Sequence, residues 1–315
     1  MIDIFYSSND QILVSQSETD LIKLNKEDVI WIDLFSPEGD EKRAVESFLG
    51  TEIQSRAQAE EIESSSRFSE TETAIFANTN FLIPGPEEYS MVAVSFTIVG
   101  TLLTTLRDVP IRSFTELQRK LAARPKLFPN GYWVFVNILD QRIDLDADMI
   151  ELMTKEITQY SRRINQSYDI NEDLLLDINQ LQENTMLVRE NIVDKQRLIL
   201  NIIKSDKYPY ELEPKFNVLQ QDIQSLINHT NFSFERLEYL QETVVGLINV
   251  KQNEIMKIFT VITLLLTPPT LLTSFYGMNV FLPLTNWKYT WLLLLFIMII
   301  CFVIILVIFK KRKML

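Results

Sequence analysis

The 315 residues hold 42 acidic and 30 basic side chains, for a formal net charge of −12, with one cysteine, one histidine and only 7 glycines. This excludes an intrachain disulfide framework and a histidine- or cysteine-rich zinc site built from one chain. It also makes nucleic acid a poor partner and favours long helices over a loop-rich β-sandwich. The charge is uneven: residues 251–315 carry +6, which leaves −18 on the first 250. An acidic surface of that kind attracts cations or is simply solvated. The first ten residues are polar and acidic, so no signal peptide is expected.

Residues 1–130 alternate short apolar runs with helical patterns. Strands are predicted over 2–6, 29–34, 73–82, 91–99 and 101–107. Ser36-Pro37-Glu38 predicts a helix start, with Ser36 as the cap and proline in the first turn. That helix runs to about Leu49, and a second is expected over 113–123. Together they describe one compact α/β domain.

From about Trp133 glycine and proline nearly vanish and the apolar spacing becomes helical. Ile143, Ile150, Met153, Ile157 and Ile164 share one face. Leu174, Ile178, Leu181, Thr185, Val188 and Ile192 mark a second helix, which ends before Pro209. A third starts after Pro214 with Phe216, Leu219, Ile223, Leu226 and Ile227, and meets no proline until Pro268. Unbroken to Tyr276, it is about 93 Å long at 1.5 Å per residue. That is three times a bilayer core, so residues 131–250 are expected to form a helical stalk. His229 sits in a polar stretch of it and reads as a surface residue.

Residues 251–315 read as a transmembrane hairpin with a basic tail. The runs 258–276 and 287–309 are each long and apolar enough to span about 30 Å of hydrocarbon. Only about seven residues join them, so both outer ends lie on one side. Lys310-Lys311-Arg312-Lys313 follows directly, and basic flanks stay cytoplasmic. Both termini are therefore expected in the cytoplasm. The second span is apolar all round. The first carries Asn253, Met256, Thr260, Thr263, Thr267, Thr270 and Ser274 at three- and four-residue steps, on one face. Such a stripe serves helix packing through small residues or lines a pore, and one stripe per chain encloses a pore only in a homo-oligomer. Spacing alone leaves both readings open.

Phe275-Tyr276-Gly277-Met278-Asn279 closes the first span and opens the outer loop. It resembles the Gly-Met-Asn signature of the CorA family of magnesium transporters, at that family's place between two C-terminal spans. The run Asn253-Glu-Ile-Met-Lys-Ile-Phe-Thr260 resembles the family's entry into its first span, as does the proline within that span. Trp31-Ile-Asp-Leu-Phe-Ser-Pro37 and Leu106-Arg-Asp-Val-Pro110 are similar to family patterns in the soluble domain. The resemblance extends over essentially the whole chain.

The resemblance implies an α+β protein: a cytoplasmic α/β/α sandwich domain, a long helical stalk and two transmembrane helices, assembled as a homopentameric funnel in the cell membrane. It implies a filter at Gly277, Met278 and Asn279, with Asn279 facing the ion through its hydration shell. Mg²⁺ gives up its waters reluctantly, and neutral amide oxygens hydrogen-bond those waters without stripping them. Glycine at 277 lets the backbone turn sharply. Met256 and Phe259 match the family's apolar gate, Thr270 and Asn253 its pore positions, and Glu242 an acidic stalk position. No ATP motif is present. The expected driving force is the membrane potential, about 4.6 kcal/mol per 100 mV for a divalent ion. No cofactor is expected beyond transported or regulatory Mg²⁺.

Two departures stand out. The loop reads Leu282-Pro283-Leu284-Thr285, without the acid many members carry. At the start of the third stalk helix, Asn217-Val218 stands where a sensing aspartate is common, with Asp222 nearby. Transport of Zn²⁺, Co²⁺ or Ni²⁺ is the alternative within the same superfamily: those ions prefer nitrogen or sulfur ligands, which are scarce here, but Co²⁺ or Ni²⁺ permeation stays compatible with a hydrated ion. A non-conducting membrane scaffold is the reading from another class. No nucleophile–base pair, phosphate loop or metal-ligand cluster suggests an enzyme.

Overall fold

The computed structural model describes residues 1–8, 11–54, 58, 67–85, 89–166, 171–280, 282–284 and 287–311. The chain divides into two compact units, one made of Met1–Ser167 and Asp173–Gln241, the other chiefly of Glu242–Leu315.

The first unit is built on a seven-stranded sheet. Its strands are β1 Ile2–Ser8, β2 Gln11–Ser15, β3 Val29–Phe35, β4 Phe68–Glu70, β5 Ala74–Pro84, β6 Tyr89–Val99 and β7 Leu102–Arg107. Their order is β2-β1-β3-β7-β6-β5-β4. Only β3 and β7 pair in parallel, Trp31 opposite Leu103 and Asp33 opposite Thr105; the other neighbours are antiparallel. The five strands predicted from apolar runs are all present. The two not foreseen, β2 and β4, are the sheet edges, where short partly solvated strands need no apolar alternation.

Period-two alternation sends β3 side chains to opposite faces. Ile32 and Leu34, with Ile2, Ile4 and Leu102, pack against Leu21 and against Val45 and Leu49 of helix α1, Gly39–Leu49. On the other face, Trp31 stacks on Phe5 at 4.6 Å and lies 5.9 Å from Phe114 of α2, Arg112–Ala123. Phe96 meets Phe135 of α3, Gly131–Gln166, edge-on at 4.9 Å. Helices therefore cover both faces, and the layers are α/β/α.

Ser36 does not cap α1. It adopts a positive φ of 39° and its hydroxyl donates to the Asp108 carbonyl at 3.1 Å. The cap is Glu38, in a reciprocal box with Glu41, whose carboxylate accepts the Glu38 N–H at 2.9 Å. The start of α3 was not legible as a constraint: a Cβ on Gly131 would meet Leu103 N at 2.3 Å and Thr101 O at 2.7 Å. Only glycine lets α3 begin this close to β7.

The faces foreseen for α3, α4 (Glu172–Lys204) and the first part of α5 (Glu213–Tyr276) are buried, including Ile150, Ile157, Ile178, Val188, Phe216 and Ile223. Polar links cross between these helices: Arg189 donates to Asn231 at 2.8 Å and Gln241 to Asn179 at 3.0 Å.

Two buried charge clusters pin helices and sheet. At the end of β3, Asp33 accepts from Arg107 Nη2 at 2.8 Å and from the Thr105 hydroxyl at 2.7 Å, while the Trp31 indole donates to that hydroxyl at 2.9 Å. Burial pushes the Asp33 carboxyl above its ordinary range, and Arg107 pulls against it. The two soluble-domain segments that resemble the CorA family thus meet in one cluster. In the second, Asp146 pairs with Arg142 at 2.8 Å and with the fully buried Lys195 at 3.0 Å; Lys195 also donates to Asn191 Oδ1 at 2.6 Å.

Burial lowers the Lys195 ammonium from 10.5 to about 8, with Asp146 opposing the shift. A base whose pKa is depressed on folding binds its proton less tightly in the native state, so stability rises with pH between the folded and unfolded values. The slope is at most about 1.4 kcal/mol per pH unit. Melting of the detergent-solubilised protein is expected to shift upward from pH 8 to 9.5, and Lys195→Met to flatten that rise.

Candidate functional site

The second unit consists chiefly of the rest of α5 and of α6, Thr290–Lys311. Both helices are long and apolar enough to cross a membrane. α6 is apolar on every side and ends in Lys310 and Lys311, as a lipid-facing helix would; Arg312 and Lys313 lie outside the described residues. Cys301 is half-buried on it as a free thiol.

At 100° per residue, Glu242, Asn253, Met256, Thr260, Thr263, Thr267, Thr270 and Ser274 fall within an arc of about 100° on α5. All eight are exposed in the single chain. Met256 lies near the middle of the arc, and Phe259 falls about 70° from its centre, about 20° outside its edge. The hydroxyls of Thr260, Thr267 and Thr270 each donate to a carbonyl four residues back, those of Met256, Thr263 and Leu266, at 2.7 Å. A hydroxyl has one hydrogen. With that hydrogen spent inside the helix, the oxygens face outward only as acceptors.

α5 ends at Tyr276. Gly277 N donates to Thr273 O at 2.9 Å and Met278 N to Phe275 O at 3.3 Å. Asn279 follows, exposed, beyond the last helical turn. Gly277 is not there for a left-handed turn, because its φ is not positive. The space beside it is tight: a Cβ would lie 3.0 Å from the Thr273 carbonyl. The loop then returns through Leu284, at φ 67°, and Thr290, whose hydroxyl donates to the Leu284 carbonyl and, at 2.9 Å, to that of Trp287. Sequence reasoning did not single out Thr290. A hydroxyl residue at the head of an apolar run was the available signal. Thr285 lies outside the described residues.

Asp222 belongs to the first unit and is exposed on α5. Burial pushes the nearby Asp140 carboxyl up, Asp144 adds to the rise, and Asp222 contributes further against Lys215 and Lys120. Among the described residues no three His, Cys, Asp or Glu side chains gather as a metal-holding group.

The profile of the family described as CorA-like Mg²⁺ transporter protein matches residues 26–311. The chain belongs to the CorA family. The magnesium transport protein CorA of Wolinella succinogenes is 32% identical over 319 residues, covering 99% of both chains. That of Campylobacter jejuni strain RM1221 is 31% identical over 301 residues, 91% of each. Among solved structures, the CorA magnesium transporter of Methanocaldococcus jannaschii superimposes with a TM-score of 0.80 over 99% of this chain and 98% of its own, at 19% identity. At that identity the match speaks to the fold: mixed sheet, long helices and a C-terminal helical pair. The CorA family is one of ion transporters, and this chain is a membrane protein of that family.

The close contact at Gly277 yields a test. Gly277→Ala requires the Thr273 carbonyl to give way by a few tenths of an ångström, which loosens the bond it accepts from residue 277. Backbone amides of residues 278–280 are expected to exchange hydrogen faster in this variant than in the parent, read by mass spectrometry on the detergent-solubilised protein.

Proposed function

We propose that this protein carries Mg²⁺ into the cytoplasm as a homopentamer in the cell membrane, driven by the inside-negative potential. The observation that carries the reading is the end-to-end similarity to magnesium transport proteins, and Gly277-Met278-Asn279, directly after the first apolar span, supports it. Residues 1–130 and 131–250 are, on this reading, the cytoplasmic domain and stalk, and residues 251–315 the membrane part. Five copies of α5 turn their polar arcs to a common axis and five copies of α6 face lipid.

The chemistry follows from water. A magnesium ion keeps its six waters with their hydrogens outward. Five Asn279 amide oxygens accept those hydrogens and hold the hydrated ion without stripping it. Below them Thr270, Thr267 and Thr260 offer oxygens that only accept, an arrangement suited to a cation's water shell and unsuited to an anion's. Met256 and Phe259 form a narrow apolar stretch that conducts when wet and blocks when dry. Asn253 and Glu242 lie on its cytoplasmic side. The same logic admits hydrated Co²⁺ and Ni²⁺ as competitors.

Asn279→Ala removes the amide oxygen and leaves the helix ends unchanged. It is expected to cut Mg²⁺ uptake into vesicles by more than about tenfold, the equivalent of roughly 1.4 kcal/mol in the barrier, at equal protein per vesicle. Uptake at the parent rate would remove Asn279 from the filter.

A further inference from the structure

Pro268 and Pro269 stand side by side in the interior of α5. Neither has an N–H, so the carbonyls of Leu264 and Leu265, four residues back, lose their helix donors. Within hydrocarbon a carbonyl without a donor is costly, and proline-bearing spans are repaired by nearby hydroxyls, by water or by local unwinding. The hydroxyls at this level are committed elsewhere. Thr267 donates to Thr263 and Thr270 to Leu266, each at 2.7 Å, and Thr273 donates to Pro269 and Thr270, each at 3.0 Å. Threonines bonded back in this way also bend helices. The helix ladder is therefore weakest over residues 264–269, with two successive bonds missing on adjoining sides of the helix. Gly246, the one glycine of α5, keeps its own N–H and removes no rung from the ladder.

We propose that α5 hinges at Pro268–Pro269, so that residues 270–276, with the Gly277-Met278-Asn279 turn attached, move as one arm against residues 253–263. The arm from Pro269 to Tyr276 is about 11 Å long at 1.5 Å per residue. Proline kinks exceed roughly 20°, and a swing of that size carries the tip of the arm by about 4 Å. The hinge gives the outer end of the span a motion of its own, and its use in setting the width of the filter rests on the transport reading above. Its existence does not.

The test reads the bend directly. In the full-length protein with Cys301→Ser, spin labels are placed at Ile258→Cys and Phe275→Cys, both exposed positions on α5. They lie about 26 Å apart along a straight helix. Labelled chains are diluted with unlabelled ones, so that each assembly holds at most one labelled copy. The distance distribution in lipid is then measured with the prolines present and with Pro268→Ala/Pro269→Ala. The hinge predicts a broad or two-peaked distribution that narrows to one long distance when both donors are restored. Pro269→Leu, which restores one donor, should narrow it in part. Distributions of equal width in all three proteins overturn the hinge. A protein that moves no ion but shows the broad distribution supports the hinge while counting against the transport reading.

Discussion

Hydroxyl and amide groups that enter a bilayer need a polar partner or water, and the account of this protein depends on how that demand is met along α5. Three of its threonine hydroxyls meet half of it within the helix, spending their hydrogens on their own backbone. The outward lone pairs still need donors. α6 has few to give: between Thr290 and its terminal lysines only the Trp291 indole and the Cys301 thiol carry a side-chain donor hydrogen. In the assembly proposed above, water in a lumen shared by several copies of the chain would supply them. The assembly proposed above therefore answers a need of one helix as well as a family likeness.

The first unit solves a different problem. Its residues carry a net −15 of charge on a fold whose core contains ion pairs. Buried pairs of this kind add little net stability, yet removing one member is costly. Asp33–Arg107 locks the parallel pair β3–β7 to the loop that leads into α2, and Asp146–Lys195 ties α3 to α4. These clusters fix the positions of the helices, and nothing in them suggests an ion route. The acid expected to sense Mg²⁺ is not in place at 217, and Asp222 acts on Asp140 without forming a ligand set among the described residues.

Much of this was legible in the sequence, for reasons that can be named. The five interior strands and the buried faces of α3, α4 and α5 follow from apolar periodicity, which local spacing reveals. The edge strands β2 and β4 escaped because pairing, and not side-chain pattern, defines them. Ser36 looked like a cap because it precedes Pro37, but tertiary contact with Asp108 captured its hydroxyl and left Glu38 to cap α1. Gly277 was expected to serve a sharp turn; it does stand in the turn after Tyr276, and the tight space beside the Thr273 carbonyl could not be read from sequence. Such distinctions depend on contacts in space. So do the buried charge pairs, whose members Asp33 and Arg107 are 74 residues apart. The polar arc of α5, by contrast, could be read residue by residue, since a helix converts spacing into direction without help from the rest of the fold.

The most direct test of the central claim is ion entry into proteoliposomes that contain only this purified protein. An inside-negative potential is imposed and internal Mg²⁺ is followed with a dye, then the measurement is repeated with Co²⁺, Ni²⁺ and Zn²⁺. The account predicts saturable Mg²⁺ entry that grows with the potential. No entry of Mg²⁺, with or without passage of another ion, would contradict it.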